Sequence, residues 1–257
     1  MNNQHARVKA IAMEAGEIAL RHFNSGPAAN IEAKGPLDLV TAADREVEAF
    51  ICKELVRSFP EDGIFGEEGS AVNGSSGRVW VIDPIDGTFN FVRGSQNWGV
   101  SIGLFENGRP TFGVVNAPAC DELFAGGNEL PAELNGKPLP TLPPFNRDYA
   151  AIGVGIHPKI PAEQGVALFE QVITELNLAY RVTGSSVISL IDIAKGNVDG
   201  YVGLGIPSWD ILGMLPCLEQ LGVTTSIDWQ TSGLDTDLDF TCGTAGMLTV
   251  LRAVDLP

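Results

Sequence analysis

One junction constrains this chain more than any other stretch: the apolar run Val79 to Ile82, which leads into Asp83-Pro84-Ile85-Asp86-Gly87-Thr88. Val79-Trp80-Val81-Ile82 predicts a buried strand. Pro84 has no N–H and a fixed φ, so the strand is expected to end there. Asp83 and Asp86 then share a tight turn at a strand's carboxyl end. Two carboxylates so close repel unless a cation sits between them. Hard divalent cations take such oxygens, and the Ile85 carbonyl is a third candidate ligand. Gly87 permits close backbone approach, and Thr88 can cap a following helix, whose free amides would face an anion. Carboxylates, cation and anion cradle on one turn point to metal-assisted phosphoryl chemistry. An isolated Asp-x-x-Asp-Gly is more often an Asx-type turn with solvated acids, so the rest of the chain has to decide.

The 257 residues suffice for one large domain or two subdomains sharing a core. A mean hydropathy of +0.12 suits a soluble protein. No uninterrupted apolar run reaches the ~18 residues a membrane helix needs, and Met1 to His5 has no leader-like pattern. Cys52, Cys120, Cys217 and Cys242 lie far apart, which predicts reduced thiols in a cytoplasm and no zinc site. With 32 acids against 16 bases the net charge is −16. Such a surface repels nucleic acid and anionic membrane. It would repel a phosphate substrate too, unless metal ions invert the local field. Most of the charge reads as ordinary solubility charge.

In chain order, residues 4 to 23 show helical periodicity, with His5 and His22 expected at the surface. Thr41-Ala42-Ala43-Asp44 has the form of a capping box opening a helix to about Ser58. Gly66-Glu67-Glu68 ends a short strand, and 71 to 78 reads as a surface loop. Trp98 to Phe105, a turn at Glu106-Asn107-Gly108-Arg109, and Thr111 to Ala117 form a hairpin, continued by a strand around Glu122. The Pro-rich stretch from Pro138 to Pro144 marks a boundary. Beyond it come a strand at 150 to 156, a helix at 162 to 176 and a strand at 179 to 182. Gly184-Ser185-Ser186 starts a helix, with a serine N-cap, that ends near Lys195. A strand at 198 to 202 precedes Trp209-Asp210, and Pro216 should start or kink the helix that follows. His157 stands alone before Pro158.

The nine residues Asp83 to Phe91 closely resemble the signature of the inositol monophosphatase family, the Mg²⁺-dependent, lithium-sensitive phosphatases of small phosphomonoesters. Asp38-Leu39-Val40-Thr41-Ala42-Ala43-Asp44, Gly66-Glu67-Glu68 and Trp209-Asp210 resemble further family segments in the same order. Lys34 matches a position that is often Lys. The resemblance implies an α/β fold with α+β layering of the sugar-phosphatase type. It implies two subdomains, residues 1–144 with the metal-binding signature and 145–257 completing the site. It also implies that Glu67, Asp83 and the Ile85 carbonyl hold one Mg²⁺, that Asp83, Asp86 and Asp210 hold a second, and that two or three ions bind. Thr88 and Asp44 would orient a metal-activated water. Asp86, Gly87 and Thr88 would cradle the phosphate, and Gly184, Ser185 and Ser186 would border the alcohol. A homodimer is expected.

The implied activity is hydrolysis of a small phosphorylated alcohol, inositol 1-phosphate first. Histidinol phosphate, fructose 1,6-bisphosphate and 3′-phosphoadenosine 5′-phosphate are the alternatives. A regulatory protein that keeps the phosphatase fold is the reading from another class. In inositol-specific members a Glu before the Trp-Asp contacts sugar hydroxyls. Here that position is Gly203. Gly203→Glu is therefore expected to raise inositol selectivity, unless a side chain at 203 collides with its surroundings and destabilises the fold.

Overall fold

The computed structural model describes residues 3–26, 32–35 and 38–252. Two long helices, α1 (Asn3–Asn24) and α2 (Ala42–Ser58), are separated in sequence by a small antiparallel pair, β1 (Glu32–Gly35) and β2 (Asp38–Val40). The Lys34 side chain lies outside the described residues. In α1 the residues Val8, Ile11, Ala12, Ala15, Ile18 and Ala19 recur at helical spacing and are buried. His5 falls on the same stripe. It is 5% exposed and stacks on Phe112 with centroids 4.4 Å apart, so the surface position expected for it is corrected.

The larger sheet comprises β3 (Gly63–Gly66), β4 (Ala71–Val72), β5 (Arg78–Asp86), β6 (Gly99–Glu106), β7 (Arg109–Ala117), β8 (Glu122–Gly127), β9 (Leu130–Leu134) and β10 (Lys137–Pro138). Their order is β10-β9-β8-β7-β6-β5-β3-β4. Every neighbouring pair is antiparallel except β3 with β5. A one-turn helix, α3 (Thr88–Val92), follows β5.

The second half opens with β11 (Ala151–Ile156) and α4 (Ala162–Glu170), which runs on as a π-helical turn through Gln171–Leu176. Next come β12 (Ala179–Arg181), α5 (Ser186–Ala194) and β13 (Gly200–Ile206). The chain then forms α6 (Trp209–Leu212), α7 (Leu215–Glu219), β14 (Thr224–Thr225), β15 (Leu238–Gly243) and α8 (Ala245–Leu251). These strands make a mixed sheet ordered β12-β11-β13-β15-β14.

The layers follow from which faces are apolar. One core fills the space between α1, α2 and the larger sheet. A second lies between the sheets. It packs Val115 and Phe124 against Leu190 and Ile193 of α5, Met214 and Cys217, and Tyr201 and Phe240 of the smaller sheet. A third joins α4 and α8 to the outer face of the smaller sheet. The result is a five-layer α/β stack whose middle helices touch both sheets.

Two local expectations change. β5 does not stop at Pro84 but continues to Asp86, because the register with β6 shifts between Asp83↔Ser101 and Asp86↔Gly99. Such a bulge leaves a residue outside the ladder, so Pro84 costs no hydrogen bond. Residues 71 and 72 form an edge strand rather than loop. Pro216, as anticipated, starts a new helix and separates α6 from α7.

The helix pair α6–α7 sits on the larger sheet backbone to backbone. A Cβ on Gly103 would lie 2.6 Å from the Leu212 carbonyl carbon, and one on Gly113 would lie 2.2 Å from the Gly213 carbonyl oxygen. Gly113→Ala should therefore lower stability by about 1–3 kcal/mol, as overpacking does. Urea unfolding would read this out; an unchanged midpoint would mean that the helix pair slides freely.

Candidate active site

The site forms where β3, β5, α2, α5 and α6 meet. The β5 bulge turns Asp83 and Asp86 out together. Asp83 Oδ1 accepts the Ile85 amide at 3.0 Å, so the Asx-type closure is present. Asp86 points at the start of α5. Its Oδ2 accepts the Val187 amide at 2.8 Å and the Ser185 hydroxyl. Asp210 lies in the first turn of α6, where Ser186 Oγ donates to its Oδ2 at 3.1 Å and also meets the Tyr201 hydroxyl at 3.2 Å. Carboxylate oxygens of Asp83, Asp86 and Asp210 lie within 4.8 Å of one another.

Glu67 follows β3. The parallel register Gly66↔Ile82 and the 3.1 Å bond from the Glu67 amide to the Ile82 carbonyl bring it alongside Asp83. Behind this group is Asp44, fully buried in the first turn of α2. Its Oδ2 accepts the Thr41 amide at 2.8 Å and the Thr41 hydroxyl at 2.6 Å, completing a capping box. Its Oδ1 lies 3.3 Å from Thr88 Oγ1, which is also 3.0 Å from the Ile85 carbonyl. Gly87 has φ +88°, the left-handed turn that frees the chain to start α3 at Thr88.

Electrostatically the arrangement is costly. Burial, then the charges of Glu67, Asp86 and Asp210, push the Asp83 carboxyl well above the usual range. Asp210 is raised well above it as well, by burial and then by Asp86 and Glu67, with some relief from Ser186 and Lys159. Burial raises Asp86 to about 6, although the Ser185 hydroxyl and the Val187 and Ser186 amides favour its charged form. Asp44 is raised by burial, against the bonds from Thr41 and Thr88.

A divalent cation fits this donor set. Every side-chain donor is a carboxylate oxygen, and a nearby double positive charge removes the repulsion that burial magnifies. All-oxygen donors favour hard ions over Zn²⁺. The cluster opens into a cleft of about 440 Å³. Of the site residues expected from the sequence, Glu67, Asp83, Ile85, Asp86, Gly87, Thr88, Gly184, Ser185, Ser186 and Asp210 line that cleft. Asp44 stands behind Thr88. Among the described residues no helix is long and apolar enough to cross a membrane.

A family model described as the inositol monophosphatase family matches residues 3–247. The chain belongs to the inositol monophosphatase family. It is thereby a phosphoric monoester hydrolase of a metal-dependent family acting on small phosphorylated substrates. A Nus factor SuhB from Xylella fastidiosa is 36% identical over 211 residues, covering 81% of this chain and 76% of that protein. A fructose-1,6-bisphosphatase/inositol-1-monophosphatase from Aquifex aeolicus is 30% identical over 216 residues, 83% of this chain and 81% of that one. Among solved structures, an IMPase from Thermotoga maritima superposes with a TM-score of 0.81 at 26% identity, covering 98% of both chains.

Within this inositol monophosphatase relative two positions are informative. Gly203 lies in β13, opposite Gly155 and Phe240. A Cβ there would stand 2.7 Å from Ile206 Cγ1, 2.8 Å from Phe240 Cε1 and 3.0 Å from Tyr201 Cε1. A Glu at 203 therefore has no room, and the second of the two outcomes foreseen for Gly203→Glu, loss of stability, is the one the packing supports. The other position is Glu48, which the sequence reading missed. It is 2% exposed, and its two oxygens accept the Glu68 amide at 2.9 Å and the Ser70 amide at 3.0 Å. It thus clamps the turn that carries Glu67. The available signal was its place one turn after Asp44, on the buried stripe of Val47, Ile51 and Leu55.

Two outcomes are expected. Asp86 has a folded pKa raised above its unfolded value, so its contribution to stability is complete below about pH 4 and fades as pH rises through about 6. In chelator, the melting temperature of the parent protein should fall relative to Asp86→Asn across that window; parallel profiles would contradict the assignment. His5, whose pKa burial lowers, acts in the opposite sense but equally in both proteins, whereas Asp83 and Asp210 lose the Asp86 charge in the variant and so add to the difference in the same direction. Glu48→Gln keeps one acceptor and sets an NH₂ against an amide. It should weaken binding of a divalent cation by about 10- to 100-fold in a calorimetric titration.

Proposed function

We propose that this chain is a Mg²⁺-dependent phosphomonoesterase that releases phosphate from small phosphorylated alcohols, with inositol 1-phosphate as the first substrate to test. The convergence of Asp83, Asp86 and Asp210 carries this reading, set as it is beside the Thr88–Asp44 pair. Glu67, Asp83 and the Ile85 carbonyl would hold one ion, and Asp83, Asp86 and Asp210 a second. Bound Mg²⁺ supplies the positive charge that acidifies a water and stabilises the leaving alkoxide.

The chain's own groups do the positioning. Thr88 has one hydroxyl hydrogen and two acceptors in reach, Asp44 Oδ1 and the Ile85 carbonyl. If that carbonyl were to hold a cation, Asp44 would be left as the acceptor. The Thr88 lone pairs would then be free to accept from the attacking water and orient it. Gly87 and Thr88 amides take phosphate oxygens. The hydroxyls of Ser185 and Ser186 brace Asp86 and Asp210, while the Gly184 backbone borders the alcohol. The four free cysteines agree with a reducing cytoplasm, and we place the enzyme there as a homodimer.

The names of relatives favour two further readings. The Aquifex aeolicus name supports fructose 1,6-bisphosphate as a second substrate. The Xylella fastidiosa name supports a regulatory role alongside hydrolysis. Phosphate release from inositol 1-phosphate should require Mg²⁺ and vanish in excess chelator. Asp83→Asn should abolish it, because a shared ligand loses its charge. Thr88→Ala should lower kcat by about a hundredfold with little change in KM. Full turnover in chelator, or a Thr88→Ala effect confined to KM, would overturn the scheme. A biological effect that survives Asp83→Asn would favour the regulatory role.

A further inference from the structure

The cleft has two chemically different sides. The carboxylates and Thr88 form one. The other is apolar, and it carries large side chains left open to solvent. Phe89, next to Thr88 in α3, is 43% exposed, and Val182, just past β12, is 62% exposed; both line the cleft, with Ile156 and Pro158. The Arg93 guanidinium lies 5.6 Å from the Phe89 ring centroid, a contact that favours this ring position. Exposed apolar side chains that line one side of a polar cleft offer a surface that an apolar group of a substrate can cover.

Several polar groups nearby are already engaged. Ser185 donates to Asp86 and Ser186 to Asp210. Ser189 bonds the Ser185 carbonyl at 2.9 Å and the Thr183 hydroxyl at 2.7 Å. His157 Nδ1 accepts the Lys159 amide at 3.2 Å. The room where a carboxylate at 203 would grip hydroxyls is filled by Tyr201, Phe240 and Ile206. A polyol entering here gives up water on each hydroxyl and regains few hydrogen bonds, which is unfavourable. A flat hydrocarbon gains from the same surface.

We propose that the preferred substrate is a phosphomonoester whose alcohol carries an aromatic ring, seated against Phe89 and Val182. This rests on the phosphomonoesterase reading above and keeps its reaction, but places an aromatic alcohol ahead of inositol as the group released. The reaction is unchanged: water adds its oxygen to phosphorus, the ester P–O bond breaks, and the aromatic alcohol leaves with a proton.

The test compares 2-phenylethyl phosphate with glycerol 1-phosphate and inositol 1-phosphate, all with Mg²⁺. The first two leave as primary alkoxides, so leaving-group chemistry is matched. The kcat/KM for 2-phenylethyl phosphate should exceed that for glycerol 1-phosphate by roughly tenfold. Phe89→Ser and Val182→Ser should each cut that ratio by roughly three- to tenfold, through KM. Val182 is the more exposed, so its variant carries the test if Phe89→Ser fails to fold. Hydrolysis of all three esters with no preference for the ring, or a ratio unmoved by the variants, overturns this inference alone. No release of phosphate from any ester overturns the phosphatase reading and this inference with it.

Discussion

Repulsion among buried carboxylates is the constraint on which the rest of the site depends. Asp83, Asp86 and Asp210 converge within 4.8 Å, and burial strengthens each mutual interaction. Without a cation, that energy opposes the fold. The structure contains it by rigid attachment: the bulged strand β5 carries Asp83 and Asp86, and the first turn of α6 carries Asp210. A site so attached is pre-shaped for a double positive charge, because the acids cannot move apart to relax.

Attachment is economical because the same bonds serve the fold and the site. The capping box at Thr41 both starts α2 and orients Asp44 toward Thr88. Ser185 caps α5 through the Ile188 amide, and its hydroxyl also reaches Asp86. Glu48, one turn beyond Asp44, fixes the Glu67 turn from the same helix face. The choice between a structural and a functional acid, which single residues pose in a sequence, is therefore not a choice at these positions.

What could be read in advance follows from this locality. The strand feeding Asp83, the helix opening at Thr41 and the break at Pro216 are set by neighbours in sequence, and the chain states them openly. The resemblance at Gly66-Glu67-Glu68, Asp83 to Phe91 and Trp209-Asp210 named residues that the structure brings into one cleft. What was hidden depends on distant partners. Pro84 stays in a strand because β6 shifts register opposite it. His5 is inside because Phe112, far along the chain, receives its ring. Gly203 is closed by Tyr201 and Phe240, and only the pairing of β13 with β15 brings the second of these there.

The contact of Gly103 and Gly113 with Leu212 and Gly213 has an effect beyond packing. It seats the end of α6, two to three residues beyond Asp210, on β6 and β7 by main chain on main chain, and so limits how far Asp210 can move from the sheet. Side chains in the core between the sheets can vary in size without altering that limit. The spacing of the acids is thus insulated from drift in the surrounding interior, which leaves the cleft's apolar rim free to diversify while the charged end keeps its dimensions.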